Sequence, residues 1–483
     1  MTKMTPPIIL ITLISYFIFL MFIAQLTKGK SDNKTFFTGN RNSNWFLVAF
    51  GMIGVSLSGV TFISIPGWVK GSSFSYMQMV FGYIVGYYII ATVLIPLYYR
   101  LKLITIYTYL GRRFGNNSHK TGSAFFIISR VVGASLRLYL VANVLQYFVF
   151  DYYDIPFLLT VVITIILIWI YTFQGGIRTI VFTDTLQTFF MLLSLVLSIY
   201  FIYKSLNFDF PQLITEVKQS EYSKIFFFDD FFNDKKHFAK RFFSGALMAL
   251  VMTGLDQDMM QKNLTCKNKD EAKKNIITMS LLLVPINLVF LFLGALLFIY
   301  GNKMGVQFPM KDGELISDYI FPYVAFTELP LYAGIIFLLG LIAAAYSSAD
   351  SAITSLTTTF SVDFLKLDKT KDTRKRLIVH LAFSIILMVV IYGFKQLNND
   401  SIVSKIFTFA GYTYGPLLGL FAFGLLTKIK VKDKMVPLVA ILSPFITFII
   451  QYYSPSVIGY TFGFELLFIN GLITFIGLFL IKK

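Results

Sequence analysis

Runs of about 20 apolar residues, the length that crosses a bilayer as a helix, recur thirteen times along this 483-residue chain. They fall near 6–26, 44–66, 74–98, 121–149, 155–173, 181–203, 242–261, 276–300, 331–361, 377–394, 402–427, 436–453 and 459–481. In hydrocarbon every backbone N–H and C=O must be paired within its own segment, so each run is read as a helix. The expected fold class is therefore an all-α membrane protein of about 13 transmembrane helices. Only 14% of residues are charged and the mean hydropathy is +0.71, whereas soluble domains carry roughly a quarter charged residues. No loop exceeds about 40 residues, so any chemistry must be carried out within the membrane.

The lone Cys266 excludes a disulfide framework, and His119, His237 and His380 are too scattered for a zinc site. No nucleophile or metal cluster is visible, which argues against an enzyme. A net charge of +17 would suit nucleic acid, but its placement argues otherwise. With the amino terminus outside, alternate loops fall in the cytoplasm and hold 27 of the 42 Lys and Arg residues, among them Lys28, Lys30, Lys262, Lys371 and Arg376. Seven of the 13 outer cations belong to one long loop, Lys204–Arg241, where the positive-inside rule has little force. The charge thus reports topology in a multi-pass cell membrane protein, plasma or bacterial inner, with a cytoplasmic carboxy terminus and no nucleic-acid partner. The first span lacks a small-residue cleavage site and is read as a retained helix. The outer stretches near 205–240 and 301–330 are long enough for short surface helices.

Three spans are less purely apolar. In the ninth, Ser347, Asp350, Ser351, Thr354, Ser355 and Thr358 fall at i, i+3, i+4, i+7, i+8 and i+11, one oxygen-bearing stripe on one helical face. Such a stripe cannot face lipid cheaply, and an oxygen-lined seam suits a small hard cation such as Na⁺. The alternative is that the hydroxyls bond back to carbonyls one turn earlier. The second span carries Gly54, Ser56, Ser58, Gly59 and Thr61, and the seventh carries Gly254, Asp256, Gln257 and Asp258. Glycine flanked by serine destabilises a helix interior, and unwound backbone at membrane depth survives only beside a protein cavity. For Gly54 and Gly59, close helix packing is the competing reading. The two interrupted spans are five apart, an odd number, so equivalent helices of two five-helix units run in opposite directions, as in inverted-repeat transporters.

With these pieces in view, the chain resembles the sodium:solute symporter family, which includes bacterial proline, sugar and sialic acid transporters. The likeness is carried in order by Pro96–Arg100, Ile106–Phe114, Gly175–Gln187, Asp256-Gln257 with Gln261, Ala344–Ser348 and Gly411–Gly419. It implies a LeuT-like 5+5 inverted repeat, helices 2–6 (44–206) and 7–11 (240–427), preceded by one helix (1–43) and followed by two (428–483). The expected function is Na⁺-coupled import of a small polar organic solute by one polytopic domain, with the lipid bilayer as its surroundings and a monomer as the functional unit. Na⁺ is the coupling ion rather than a catalytic cofactor. The shared Na⁺ site would use backbone carbonyls of Gly54, Leu57 and Ala344 with the hydroxyls of Ser347 and Ser348. A second cation site would use Asp184, Asp350 and Ser351. Asp350 is a departure, since related chains tend to carry serine there, and Asp184 also fits an ordinary helix cap at the start of the sixth span.

For the solute, the resemblance points to Ser56, Ser58 and Thr61 with an arginine on a neighbouring helix. Arg130 and Arg137 lie seven apart on one face of the fourth span. A guanidinium fork suits a carboxylate such as that of sialic acid, with Arg137 the better placed; the alternative is an internal pair with Asp184, Asp350 or Asp256. Asp256 and Gln257 match positions that contact sugar in hexose or inositol symporters, the runner-up solutes, and Gln78 either faces the cavity or sits at the interface. A channel would want a continuous polar pore, whereas polar residues here cluster at one depth, and no signalling module of a sensor is read after Lys483.

Overall fold

The computed structural model describes residues 4–27, 33–172, 176–311, 313–370, 372–395 and 402–483. Gly175, Lys28, Lys30 and Lys371, used above, lie outside the described residues. The architecture is helical throughout apart from a two-residue hairpin, Met310–Lys311 with Glu314–Leu315. Among the described residues ten helices are long and apolar enough to cross a membrane. They are α1 (Pro6–Thr27), α2 (Trp45–Ser72), α3 (Tyr76–Arg100), α4 (Asn116–Tyr153), α6 (Gly176–Ser205), α9 (Lys269–Met304), α10 (Leu331–Phe364), α11 (Thr373–Phe394), α12 (Ile402–Leu426) and α13 (Val436–Val457). Two shorter apolar helices, α5 (Phe157–Thr172) and α14 (Leu466–Leu480), accompany them. Between α6 and α9 two helices, α7 (Phe238–Gly254) and α8 (Gln257–Asn263), meet at a 67° bend.

The interruptions fall where the sequence placed them. α2 starts at Asn44, whose side chain accepts from the Phe46 N–H at 2.9 Å, and its helical path breaks at Ser58 (φ 55°, ψ 174°). That backbone region is populated almost only by glycine and costs on the order of 1–3 kcal/mol, the kind of strain that collects at functional sites. α8 restarts the seventh span because the Asp256 carboxylate accepts from the N–H groups of Asp258 (2.9 Å) and Met259 (3.3 Å). A helix beginning at mid-depth thus has its own cap.

α10 is buried along nearly its whole length and packs against α6, α2 and α4. α2 also packs on α6 and α9, α4 on α12, and α3 on α7. Two glycines set how closely α2 approaches its neighbours. A Cβ at Gly54 would lie 2.1 Å from Thr188 Oγ1 on α6, and one at Gly59 would lie 3.4 Å from Ala345 Cα on α10. The packing reading of Gly54 therefore holds alongside the broken helix. α13 stands at the periphery, with Phe445, Phe448 and Tyr452 exposed as a lipid-facing side requires.

Three expectations need correction. The sixth span opens at Gly176 rather than 181, so Asp184 sits two turns inside α6 and is not its cap. Lys262 and Arg376, counted as loop cations, are buried at 1% exposure each: Lys262 ends up inside α8, and Arg376 stacks over Phe36 at 4.3 Å. Of the two outer stretches, 205–240 holds a true surface helix (Phe210–Gln219), while the helical stretch of 301–330, residues 317–328 after the hairpin, is largely buried rather than on the surface.

Candidate functional site

Beside the α2 break lies a cavity of about 100 Å³. Its walls include Ser56, Ser58 and Thr61 of α2, Arg130 and Arg137 of α4, and Tyr87 of α3. Tyr76 and Phe407 also line it, their ring centres 6.5 Å apart.

The two arginines have different fates. Arg130 is ion-paired: its Nη2 binds Asp258 Oδ2, and the other oxygen of Asp258 accepts from Ser351 Oγ. Asp256 accepts from the Tyr414 hydroxyl. Arg137 has no hydrogen-bond or ion-pair partner among the described residues and faces the cavity half-buried. A buried guanidinium has several donors to satisfy, and its planar fork fits a carboxylate. The internal partner of Arg130 is Asp258, which sequence reasoning passed over in favour of Asp184, Asp350 and Asp256. Only its adjacency to Asp256 on the short helix after the break could have pointed to it.

Two solute candidates are placed elsewhere. Gln78 is wholly buried and saturated: Nε2 donates to Lys236 O (2.8 Å) and Ser75 O (3.3 Å), and Oε1 accepts from Phe227 N (3.2 Å). It fastens the long outer loop to α3. Gln257 clamps the 101–107 segment, accepting from Ile106 N and donating to Ile104 O, both at 2.9 Å. The pattern of a polar residue inside an apolar run was real in both cases, but backbone groups of loops claimed them. Tyr87, Tyr414 and Phe407 line the cavity without having been singled out, because 28 Tyr and 53 Phe offer no contrast.

On the other face of the α2 break, Ser347 and Ser348 are buried on α10 within one turn of Ala344. Both hydroxyls reach back to Ala344 O only at 3.5 Å, the outer limit of a hydrogen bond, so their oxygens keep free lone pairs. Thr354, deeper along the stripe, has no hydrogen-bond partner among the described residues for its Oγ1. The residues fit a cation held by neutral oxygens. Gly59 brings α2 onto Ala345, and Ser58 frees backbone from the helical ladder. The stripe therefore divides: Ser355 and Thr358 bond back to Ala352 and Thr354, while Ser347 stays loosely held.

The expected second cation position carries a cation already. Lys262 Nζ lies 2.6 Å from Asp184 Oδ2, both groups buried. Asp350 accepts from the Ser351 N–H at 2.5 Å. Next to the pair, Gln261 donates to Phe37 O (2.8 Å) and Thr358 Oγ1 (3.0 Å). The end of the molecule opposite the 205–240 loop is sealed. Asp363 on α10 accepts from Thr105 and Ser123 and lies 2.9 Å from His119 Nε2, while Tyr98 and Tyr107 donate to the carbonyls of Gly254 and Leu255.

Two interrupted helices flanking a mid-molecule cavity, with a hydroxyl-and-carbonyl seam beside it, are the arrangement of a secondary transporter. The solved structure of a Na⁺-coupled sialic acid symporter, substrate-bound and outward-open, matches with a TM-score of 0.81 at 20% identity over 98% of both chains. The transporter Mhp1, a nucleobase-cation-symport-1 family member, matches at 0.57 and 13% identity over 93% of both. A family model of the sodium:solute symporter family spans residues 36–431, so the chain belongs to that family. Among its relatives, the sodium/sialic acid symporter NanT of Aliivibrio fischeri is 25% identical over 83% of this chain and 79% of its own length. SiaT of Proteus mirabilis is 24% identical over 83% and 80%. The human sodium/iodide cotransporter is 24% identical over 82% and 62%.

Proposed function

We propose that this chain imports a sugar carboxylate of the sialic acid type together with Na⁺. The observation that carries the solute is Arg137: a guanidinium without a partner among the described residues, facing a cavity whose polar walls include the hydroxyls of Ser56, Ser58 and Thr61. Relatives named for sialic acid and iodide carry anions, which suits the same reading. The hexose reading loses its two residues, since Gln257 is bound to loop backbone and Asp256 to the α8 amides and Tyr414. A cavity of about 100 Å³ is smaller than the roughly 300 Å³ at which ligand pockets begin, so loading requires Tyr76 and Phe407 to part.

Na⁺ is held by the carbonyls of Gly54, Leu57 and Ala344 and the hydroxyls of Ser347 and Ser348. Neutral oxygens bind a monovalent ion without trapping it. The α2 break gives one face to the ion and the other to the solute, so each orders backbone that the other needs. At the second position the Lys262 ammonium stands in for an ion, so a single Na⁺ accompanies each solute. Asp184, Asp350 and Ser351 then form the counter-charge of the protein's own cation. The chain forms one domain of thirteen spans with α7 and α8 as halves of the seventh. α2–α6 and α7–α12 are the two repeats (44–206 and 240–427), the amino terminus lies outside, the carboxy terminus in the cytoplasm, and the monomer is the working unit.

The test is reconstitution into vesicles with labelled sialic acid. Uptake driven by an imposed Na⁺ gradient, with Arg137→Gln raising KM more than a hundredfold and Arg137→Lys about tenfold, is the expected result. Uptake of hexose but not sialic acid, insensitive to Arg137, would overturn the solute assignment.

A further inference from the structure

The outward side of α3 carries an apolar stripe, Phe81, Ile84, Val85 and Tyr88, at i, i+3, i+4 and i+7, the last three exposed as a lipid-facing side requires. The stripe does not stop where the helix does. Phe226 of the 205–240 loop stacks on Phe81, the ring centres 6.1 Å and the planes 17° apart. Phe226 stacks in turn on Phe228 (6.1 Å, 8°), Phe228 lies against Phe238 (5.3 Å), and Phe238 stacks on Phe242 of α7 (5.4 Å, 24°). The rings form a ladder from α3 across the loop to the first turn of α7. There the exposed Phe243 meets the exposed Phe468 of α14 at 5.3 Å.

The local sequence accounts for the exposure. In the extended segment Lys224-Ile225-Phe226-Phe227-Phe228 alternate side chains share a side, so Lys224, Phe226 and Phe228 are exposed while Ile225 and Phe227 are half-buried. Backbone bonds fix that register. Phe74 N donates to Lys224 O (3.0 Å), Phe227 N to Gln78 Oε1 (3.2 Å) and Phe238 N to Phe227 O (2.6 Å). Gln78 Nε2 holds the returning strand through Lys236 O. Pinned in this way, Phe226 and Phe228 remain 46% and 64% exposed. A contiguous aromatic ridge held open to solvent forfeits its hydrophobic free energy unless something covers it, and such patches mark interaction surfaces.

The charges around the ridge identify what covers it. The ammonium groups of Lys224 and Lys236 lie over the Phe227 ring at 4.8 and 5.1 Å. The carboxylates gather at the turn beyond Phe228, where Asp230 accepts from Asn233 N (3.0 Å) and Asp234 from Lys236 N (2.7 Å), beside the exposed Asp229. Rings continuous with a lipid-facing helix, lysines next to them and acids confined to the turn match the layers of a bilayer surface. The rings suit the acyl boundary, the lysines the phosphates and the acidic turn the water. A soluble partner would give the ladder no reason to prolong the α3 stripe.

We propose that residues 224–243 are a membrane-interface anchor. The Phe226–Phe228–Phe238 ladder inserts into the headgroup–acyl boundary of the leaflet on the side of the 205–240 loop, and Lys224 and Lys236 contact lipid phosphates. The anchor acts on a rigid pair of helices. A Cβ at Gly82 of α3 would lie 2.0 Å from Phe242 O, and one at Gly245 of α7 would lie 2.1 Å from Met79 O, so α3 and α7 are locked together at their outer ends. Lipid thereby holds this pair at a fixed depth while Tyr76 and Phe407 part.

Spin labels measure the depth. Phe226→Cys and Phe228→Cys are made singly in full-length protein with the buried Cys266 replaced (Cys266→Ala), labelled with a nitroxide and reconstituted into phosphatidylcholine–phosphatidylglycerol vesicles. Collision with oxygen, which concentrates in lipid, is compared with collision with a water-soluble nickel chelate. Lys218→Cys on the surface helix and Tyr88→Cys on the α3 stripe supply the water and acyl-chain references. At 226 and 228 the oxygen-to-nickel ratio is expected well above that of Lys218 and no higher than that of Tyr88, as for rings about 5–10 Å into the boundary. Either position carries the test if the other variant fails to fold. A ratio equal to that of Lys218 leaves the ladder in water, free for a soluble protein or glycan, and overturns the anchor. Spin–spin broadening at 228 seats a second copy of the chain on the ridge and overturns it equally.

Discussion

Replacing Lys262 by Met tests whether the protein carries its own cation where a second Na⁺ would otherwise bind. At the 2.6 Å separation of Lys262 Nζ and Asp184 Oδ2, two unit charges attract by about 6 kcal/mol at an effective dielectric of ~20. Desolvation of both groups consumes much of this, but removing one partner strands the other and costs about 3–5 kcal/mol. In Na⁺-free buffer Lys262→Met should therefore unfold well below the native protein. Na⁺ should restore most of the loss, because an ion can now reach the Asp184 carboxylate. The slope of uptake against Na⁺ should rise from about one toward two. Lys262→Met with Asp184→Asn removes both charges and should return the slope to one and recover stability in the absence of Na⁺. The readouts are thermal melting in detergent with and without Na⁺, and Hill analysis of vesicle uptake. A native slope near two, or a single variant whose melting ignores Na⁺, would refute the reasoning.

Ser347→Ala and Ser348→Ala each remove one oxygen from the proposed Na⁺ site. At about 1.5–3 kcal/mol for a hydrogen bond or contact to a charged group, each should raise the Na⁺ concentration for half-maximal uptake by about 10- to 100-fold with solute KM measured at saturating Na⁺ nearly unchanged; unaltered Na⁺ dependence in both would remove the site. Asp258→Asn leaves Arg130 buried without its counter-charge and a single amide oxygen where two carboxylate oxygens served Arg130 and Ser351, so melting should show a loss of about 3–5 kcal/mol, and a stable, active variant would show that the pair is dispensable.

The spans were legible because a bilayer imposes one length and one polarity on every crossing, and a window of apolar residues reads both. The broken second and seventh spans were legible for the converse reason: Gly54, Ser56, Ser58 and Asp256 violate that rule at positions where nothing but a cavity permits it. Which acid meets which base was not legible. Lys262 looked like a cytoplasmic loop charge because it ends an apolar run, yet α8 turns it inward against an aspartate of α6. Periodicity assigns a residue to a face, but the partner across that face comes from a distant segment. Gln78 and Gln257 show the same limit, as their amides were taken by loop carbonyls and N–H groups that no pattern in the chain announces. Asp184 was misplaced because an apolar window starts counting only after Arg178 and Thr179, whereas the helix itself begins at Gly176.

The bend between α7 and α8 explains why the two ends of the molecule need not open together. α7 packs on α3, and its first turn carries Arg241, which shares a cavity wall with Phe407. α8 is fixed to the other end: Gln257 binds the 101–107 segment, Gln261 binds Thr358 of α10, and Lys262 binds Asp184 of α6. Bonds from Tyr98 and Tyr107 to Gly254 and Leu255 clamp the hinge itself. In the proposed cycle, parting Tyr76 from Phe407 disturbs only contacts made by α3 and α12. Opening the far end must release Asp363 from Thr105 and Ser123 together with the α8 bonds. That second set is the larger and more deeply buried. In that cycle the far end opens only when Na⁺ with solute at the α2 break supplies the free energy that shifts the balance.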